Sequence, residues 1–102
     1  MAAKTVTGTV NDLGQIVNGD PMTFKVERPA IGSITGRYEI HFTPAFTNIS
    51  SVVATQVSHF PNGDTRDNAV VVDFDVNLVR IITGKSDGSL ENRPFSFIAM
   101  GD

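Results

Sequence analysis

The sequence predicts an all-β fold, an antiparallel β-sandwich made by a single domain over residues 1–102. Apolar residues recur at every second position rather than at helical spacing, and Gly or Pro interrupts most windows of ten residues. Strand-like segments also follow one another at spacings of roughly 10–15 residues, which is typical of a sandwich or a barrel.

Length and composition limit the number of domains and exclude several classes of function. A chain of 102 residues supports one domain, and 40% hydrophobic with 19% charged residues is far from the composition of disordered chains. The absence of Cys excludes disulfides, thiolate catalysis and Cys-based metal sites. A net charge of −3 gives no basic patch for nucleic acid, and no apolar run has the length of a membrane span. We therefore expect neither nucleic-acid binding nor membrane insertion.

The first half of the chain predicts four strand segments. Residues 5–10 alternate, turn residues follow, and 15–17 continue the strand. Residues 22–28 place Met22, Phe24 and Val26 on one face, as a half-buried strand requires. Residues 37–42 repeat this pattern and give the clearest strand. Its predicted inward residues are Tyr38, Ile40 and Phe42, and its predicted outward residues are Arg37, Glu39 and His41.

The second half predicts the remaining strands and a surplus of apolar surface. Residues 51–60 are apolar on both faces at first, so this strand is either central or covered by another subunit. Residues 69–75 predict Val70, Val72 and Phe74 as inward. The alternation changes phase at 76–78, which predicts a turn, and 79–83 then pair back as a hairpin. Residues 94–100 predict the last strand.

No motif in the chain discloses a chemistry, so we expect no enzyme, no catalytic residue and no cofactor. The spacing Gly-x-Ser-x-Gly occurs at residues 84–88, but a nucleophile elbow needs a helix after the serine, and Asp87-Gly88 predicts a turn there. A metal held by His59 with Asp64 or Asp67 is an alternative, since the loop between them can fold back, but we assign no metal site. A small hydrolase with active sites shared between subunits is a second alternative.

The polar loop over residues 62–68 is the predicted binding site. Asn, Asp and Arg side chains supply the directional donors and acceptors that hydroxyl-rich ligands need, and loops on rigid sandwiches usually carry recognition. The predicted ligand-binding residues are Asp64, Arg66, Asp67 and Asn68.

The order of these elements resembles a known group of modules. Residues 36–42, then Phe46, the valine-rich 52–55 and the terminal 95–101 resemble small β-sandwich modules of bacteriophage tail fibres and bacterial fibre proteins. The same layout resembles the H-type lectin domain, a jelly-roll-like sandwich that assembles as a trimer and binds galactose-type sugars. Where that lectin has its sugar-contacting aromatic and His, this chain has residues 86–91, none of them aromatic or His.

The resemblance implies a homotrimer and a non-enzymatic function. The expected function is a carbohydrate- or receptor-binding head of a fibre-like assembly, an adhesin on a virion or an extracellular fibre. Apolar residues on both faces of 51–60 and in 70–72 favour a partner subunit independently of the resemblance. The alternative is a structural module that trimerises a fibre or decorates a virion without any small ligand.

Overall fold

The computed structural model describes residues 3–29, 32–58 and 63–102 of the chain. Within these residues it contains strands and turns and no helix, which confirms the all-β prediction. There is accordingly no helix in the described part that is long and apolar enough to cross a membrane. The strands are β1 (Lys4–Val10), β2 (Ile16–Gly19), β3 (Phe24–Glu27), β4 (Arg37–Phe42), β5 (Ile49–Gln56), β6 (Asn68–Phe74), β7 (Leu78–Gly84) and β8 (Phe95–Gly101).

The strands form two four-stranded antiparallel sheets. Sheet A has the order β2-β1-β8-β5, and sheet B has the order β3-β4-β7-β6. The core lies between the two sheets and takes its side chains from the inward positions of both. Aromatic rings join the sheets edge to face: Phe24 meets Phe97, and Tyr38 meets Phe95, each with ring centroids 5.1 Å apart.

Strand β4 is the best-predicted element. Tyr38, Ile40 and Phe42 are buried as the alternation requires, with at most 6% of each residue exposed. Phe46, on the connection after β4, closes the end of the core and packs edge to face on Phe42. The Tyr38 hydroxyl donates to the carbonyl of Asp12 at 2.8 Å, so the one polar atom of this buried ring is satisfied.

One prediction fails at the start of β3. Met22, expected to face inward, is 78% exposed. The chain is still turning there, because Thr23 N–H donates to the carbonyl of Asp20 and Met22 N–H donates to the Asp20 carboxylate. The strand begins only at Phe24, which is the first residue of this segment to reach the core.

A second prediction fails in β6, where Val70, Val72 and Phe74 were expected inward but are 42%, 55% and 40% exposed. The register shifts between Val71 and Asp73, where Val72 forms a bulge. The turn after β6 pairs Phe74 with Val79, and an unbroken ladder from there would place Val72 opposite the buried Ile81. The extra residue instead places Val71 opposite Ile81, so before the bulge the inward face changes to the other set of side chains. Phe74 follows the bulge on the same side as the buried Val79, and it is partly exposed as the last residue of β6.

The outer faces of the two sheets differ in chemistry. On sheet A, no side chain on the outer face of β1, β8 and β5 carries a charge, and we call this the uncharged face. On sheet B, the outer positions are mostly ionisable, and we call this the charged face. The uncharged face consists of Thr5, Thr7, Thr9, Ser51, Val53, Thr55, Ser96, Ile98 and Met100. The charged face includes Lys25, Glu27, Arg37, Glu39, His41, Asp73 and Arg80.

Candidate functional site

A hollow of about 270 Å³ lies at the open end of the β6–β7 hairpin, where β6 begins and β7 ends, next to the predicted binding loop. Its walls come from the start of β6, the end of β7 and the turn after β7. The lining combines two cationic side chains and several polar groups with an apolar floor, and it contains no carboxylate. The lining residues are Arg66, Asn68, Val70, Ile82, Thr83, Gly84, Lys85, Ser86, Gly88 and Leu90.

Arg66 is held in place by Asp64. The guanidinium donates two hydrogen bonds to the Asp64 carboxylate, Nε to Oδ1 at 3.1 Å and Nη2 to Oδ2 at 3.0 Å. The backbone N–H of Arg66 donates to the same Oδ1 at 2.9 Å, which closes a tight turn. These hydrogen bonds from Arg66 lower the pKa of Asp64 from its ordinary 3.8 to about 2. Asp64 thus orients the arginine and does not itself line the hollow.

Asp67 has a structural position. Its carboxylate Oδ2 accepts from Arg93 Nη1 at 3.2 Å and from the backbone N–H of Asp64 at 3.1 Å, and its side chain is 8% exposed. Arg93 also donates to Glu91, and this hydrogen bond is the main cause that raises the pKa of Arg93. Asp67 therefore anchors the loop to the segment before β8, and its nearly buried side chain is out of reach of a ligand on the surface.

Asn68 begins β6 and lies opposite Gly84 of β7. Gln56, at the end of β5, donates from Nε2 to the carbonyls of both residues, at 2.9 Å for Asn68 and 2.8 Å for Gly84. This side chain joins the two sheets at the site end of the sandwich. The backbone beside the hollow is fixed by it, so the Asn68 side chain projects from a rigid strand rather than from a loose loop.

The turn after β7 supplies the opposite wall. Lys85 N–H donates to the carbonyl of Ser89 at 3.1 Å, and Gly88 N–H donates to the carbonyl of Lys85 at 2.9 Å. Gly88 has φ +88°, a conformation that L side chains rarely adopt, so the turn needs a glycine there. Asp87 closes the turn by accepting from Ser89, and this contact lowers the pKa of Asp87.

The structure separates the predicted site residues into two pairs. Arg66 and Asn68 line the hollow, whereas Asp64 orients Arg66 and Asp67 binds Arg93. Sequence reasoning missed Lys85 and Ser86, which also line the hollow. The β6–β7 pairing carried that signal, because counting back from the turn at 76–77 brings the start of β6 close to residue 85. His59, considered as a metal ligand, lies outside the described residues.

Comparison with known protein families, with curated proteins and with solved structures finds no match for this chain. The likeness to fibre head modules and to the H-type lectin domain therefore stays a prediction. The two-sheet β architecture, the hollow and the two outer faces are what any functional assignment has to explain.

Proposed function

We propose that this chain is a non-enzymatic carbohydrate- or receptor-binding head module that assembles as a homotrimer in a fibre-like structure. The observation that supports the binding role most directly is the hollow. Its lining combines the hydrogen-bond donors of Arg66, Asn68 and Lys85 with the apolar side chains of Ile82 and Leu90. A sugar ring presents the matching pattern, hydroxyls at its rim and C–H groups on its face, and recognition sites usually combine these two kinds of contact.

The uncharged face supports the assembly part of the proposal. Val53 and Ile98 are direct neighbours across β5 and β8, yet they are 57% and 43% exposed, and Met100 beside them is 49% exposed. Contiguous apolar surface on a small protein usually marks a contact with another molecule. A second copy of the chain meets no like-charge repulsion on this face. Cyclic assembly would repeat the hollow around one axis, and several weak sites together would bind a multivalent ligand more tightly than one site does.

A structural trimerisation or decoration module without a small ligand is the second candidate. The uncharged face favours it as much as it favours the binding head, because that face bears on assembly alone. The two candidate functions differ only in whether the hollow binds a ligand, and a binding experiment therefore separates them.

The first experiment is a glycan array probed with the purified chain, followed by calorimetry on the glycans that bind. We expect a set of chemically related glycans, and at least about tenfold weaker binding in a variant carrying both Arg66→Ala and Asn68→Ala. Lys25→Ala is the matched control, because it removes an exposed cation from the charged face, outside the hollow. Light scattering on the same samples should give a mass of three times 11.0 kDa.

Each outcome has a separate meaning. A trimer without related glycan hits would favour the structural module over the binding head. Glycan binding that survives the double substitution would refute the hollow as the site. A monomer at all concentrations would refute the assembly part of the proposal and leave the binding part to stand on the array alone.

A further inference from the structure

A cluster of potential metal ligands lies on the charged face, outside the hollow. Glu27 of β3 and Glu39 of β4 are directly opposite each other in the strand register. Two like charges in such a cross-strand pair destabilise a sheet unless a cation lies between them. The imidazole of His41 turns toward both: its Nε2 is 3.2 Å from Glu27 Oε2 and 3.0 Å from Glu39 Oε1.

Neighbouring cations orient the two carboxylates. Lys25 Nζ lies 3.2 Å from Oε1 of Glu27, and Arg80 Nε donates to Oε2 of Glu39 at 3.2 Å. Each glutamate thus gives one oxygen to a flanking cation and turns the other oxygen toward His41. Outer partners of this kind fix the orientation of ligand side chains in metal sites. The arrangement differs from a simple ion pair because one oxygen of each glutamate lies within 3.2 Å of the same imidazole nitrogen.

The spacing of the three inner atoms suits a metal ion. One ligand atom from each of Glu27, Glu39 and His41 lies within 4.8 Å of the other two, and in the described part of the chain no other three His, Asp or Glu side chains come together in this way. Ligand bonds of about 2.1 Å place neighbouring ligand atoms about 3.0–3.4 Å apart in octahedral or tetrahedral geometry. The side chains are between one-quarter and one-half exposed, so water has access to the remaining coordination positions.

We propose that Glu27, Glu39 and His41 bind a divalent first-row transition metal ion, with Zn²⁺ as the natural probe. One imidazole nitrogen with two carboxylate oxygens is a ligand set that suits zinc and its neighbours, whereas Ca²⁺ and Mg²⁺ favour sites made of oxygen alone. The ion takes the position of the hydrogen on His41 Nε2. A protonated ring releases that proton to solvent and keeps its hydrogen on Nδ1, and a neutral ring with its hydrogen on Nε2 moves it to Nδ1 through solvent. This site is independent of the proposed function at the hollow.

The test is calorimetric titration of the tag-free chain with Zn²⁺, repeated with Co²⁺ while its visible absorption is recorded. We expect one ion per chain and a Co²⁺ spectrum of mixed nitrogen and oxygen ligands. His41→Ala should weaken binding by at least about 100-fold, and Glu27→Gln, a change at an exposed side chain, by at least about tenfold. Circular dichroism shows whether each variant is folded. If His41→Ala does not fold, the Zn²⁺ affinity of Glu27→Gln decides whether the cluster binds the metal.

Two control variants make the result specific. His59→Ala removes the other histidine of the chain, and Asp73→Asn removes a carboxylate that contacts Arg80 but not His41. Both should bind Zn²⁺ as the unchanged chain does. The absence of saturable binding, equal binding by folded His41→Ala and the unchanged chain, or a loss in His59→Ala as large as in His41→Ala would each overturn the proposal.

Discussion

The two sheets of this sandwich have equivalent inner faces and opposite outer faces. Both contribute fully buried aromatic and aliphatic side chains to one core, with Phe95 and Phe97 from sheet A packed against Tyr38 and Phe24 from sheet B. Outside, sheet A presents hydroxyl and apolar side chains with no charge, whereas sheet B presents a cross-strand row of ionisable groups. The core is built from the inner faces alone, so we relate the difference outside to what each sheet meets in its surroundings.

The charged row shows how sheet B manages a solvent-facing surface. Glu27, Glu39, Arg80 and Asp73 are successive cross-strand neighbours from β3 to β6, and opposite charges meet at Arg80 on both of its sides. Such a face is well solvated and repels non-specific association. The uncharged face of sheet A lacks this protection. A surface without it needs either a partner or some other means of avoiding aggregation.

The largest effect we expect is on assembly. Ile98→Lys places a charge in the middle of the uncharged face, where burial against another subunit would cost several kcal/mol. We expect the mass measured by light scattering to fall to the 11.0 kDa of a single chain. Leu78→Lys adds the same charge on the outer side of sheet B, opposite His41, and should leave the mass unchanged. An unchanged mass for Ile98→Lys would remove the uncharged face as the assembly surface.

A smaller effect is expected on stability, where the contribution of a charge contact on sheet B should depend on salt and that of a neutral hydrogen bond on sheet A should not. Glu39→Gln removes hydrogen-bonded charge contacts to Arg80 and His41, and we expect a loss of about 0.5–1 kcal/mol in the free energy of unfolding that shrinks in 1 M salt. Ser96→Ala removes the 2.7 Å hydrogen bond to Thr9 on the uncharged face, with a loss of about 1 kcal/mol. Denaturation in urea at low and high salt measures both. A salt-dependent loss in Ser96→Ala would contradict this contrast.

The smallest effect is a titration on the charged face. The hydrogen bond from Lys25, and next the charge of His41, lower the pKa of Glu27 from its ordinary 4.5. Because the folded pKa is below the unfolded one, this contact stabilises the fold above about pH 4.5, and the contribution is lost as the pH falls through the folded value. NMR titration of the Glu27 side-chain carboxyl should show a midpoint pH that moves back toward 4.5 in the Lys25→Gln variant. The same midpoint in both proteins would mean that the Lys25 contact does not form in solution.

Strand alternation was enough to predict the fold class, because period-2 patterning in segments such as β4 reports burial directly. It was not enough at Met22, where a local turn anchored by Asp20 delays the strand, or in β6, where the bulge at Val72 exchanges the faces. Alternation gives the relative facing of neighbours within a strand, whereas local hydrogen bonds decide where the strand begins and register decides which face is inward.

The site was half predictable for a similar reason. Polar composition pointed to the loop that holds Arg66, but composition does not show that Asp67 is committed to Arg93, which lies 26 positions away. The metal-ligand cluster was also missed. Glu27 and His41 belong to different strands, and only the β3–β4 register brings them together.

The bulge at Val72 also determines what the hollow contains. If the same residues paired in an unbroken ladder, Asn68 and Val70 would face the core, and both would leave the lining of the hollow. The recognition surface thus depends on a register shift at a position that the ligand never meets. A single-codon deletion of Val72 would close the bulge and keep Asn68 opposite Gly84, so the surface survives the loss of that residue.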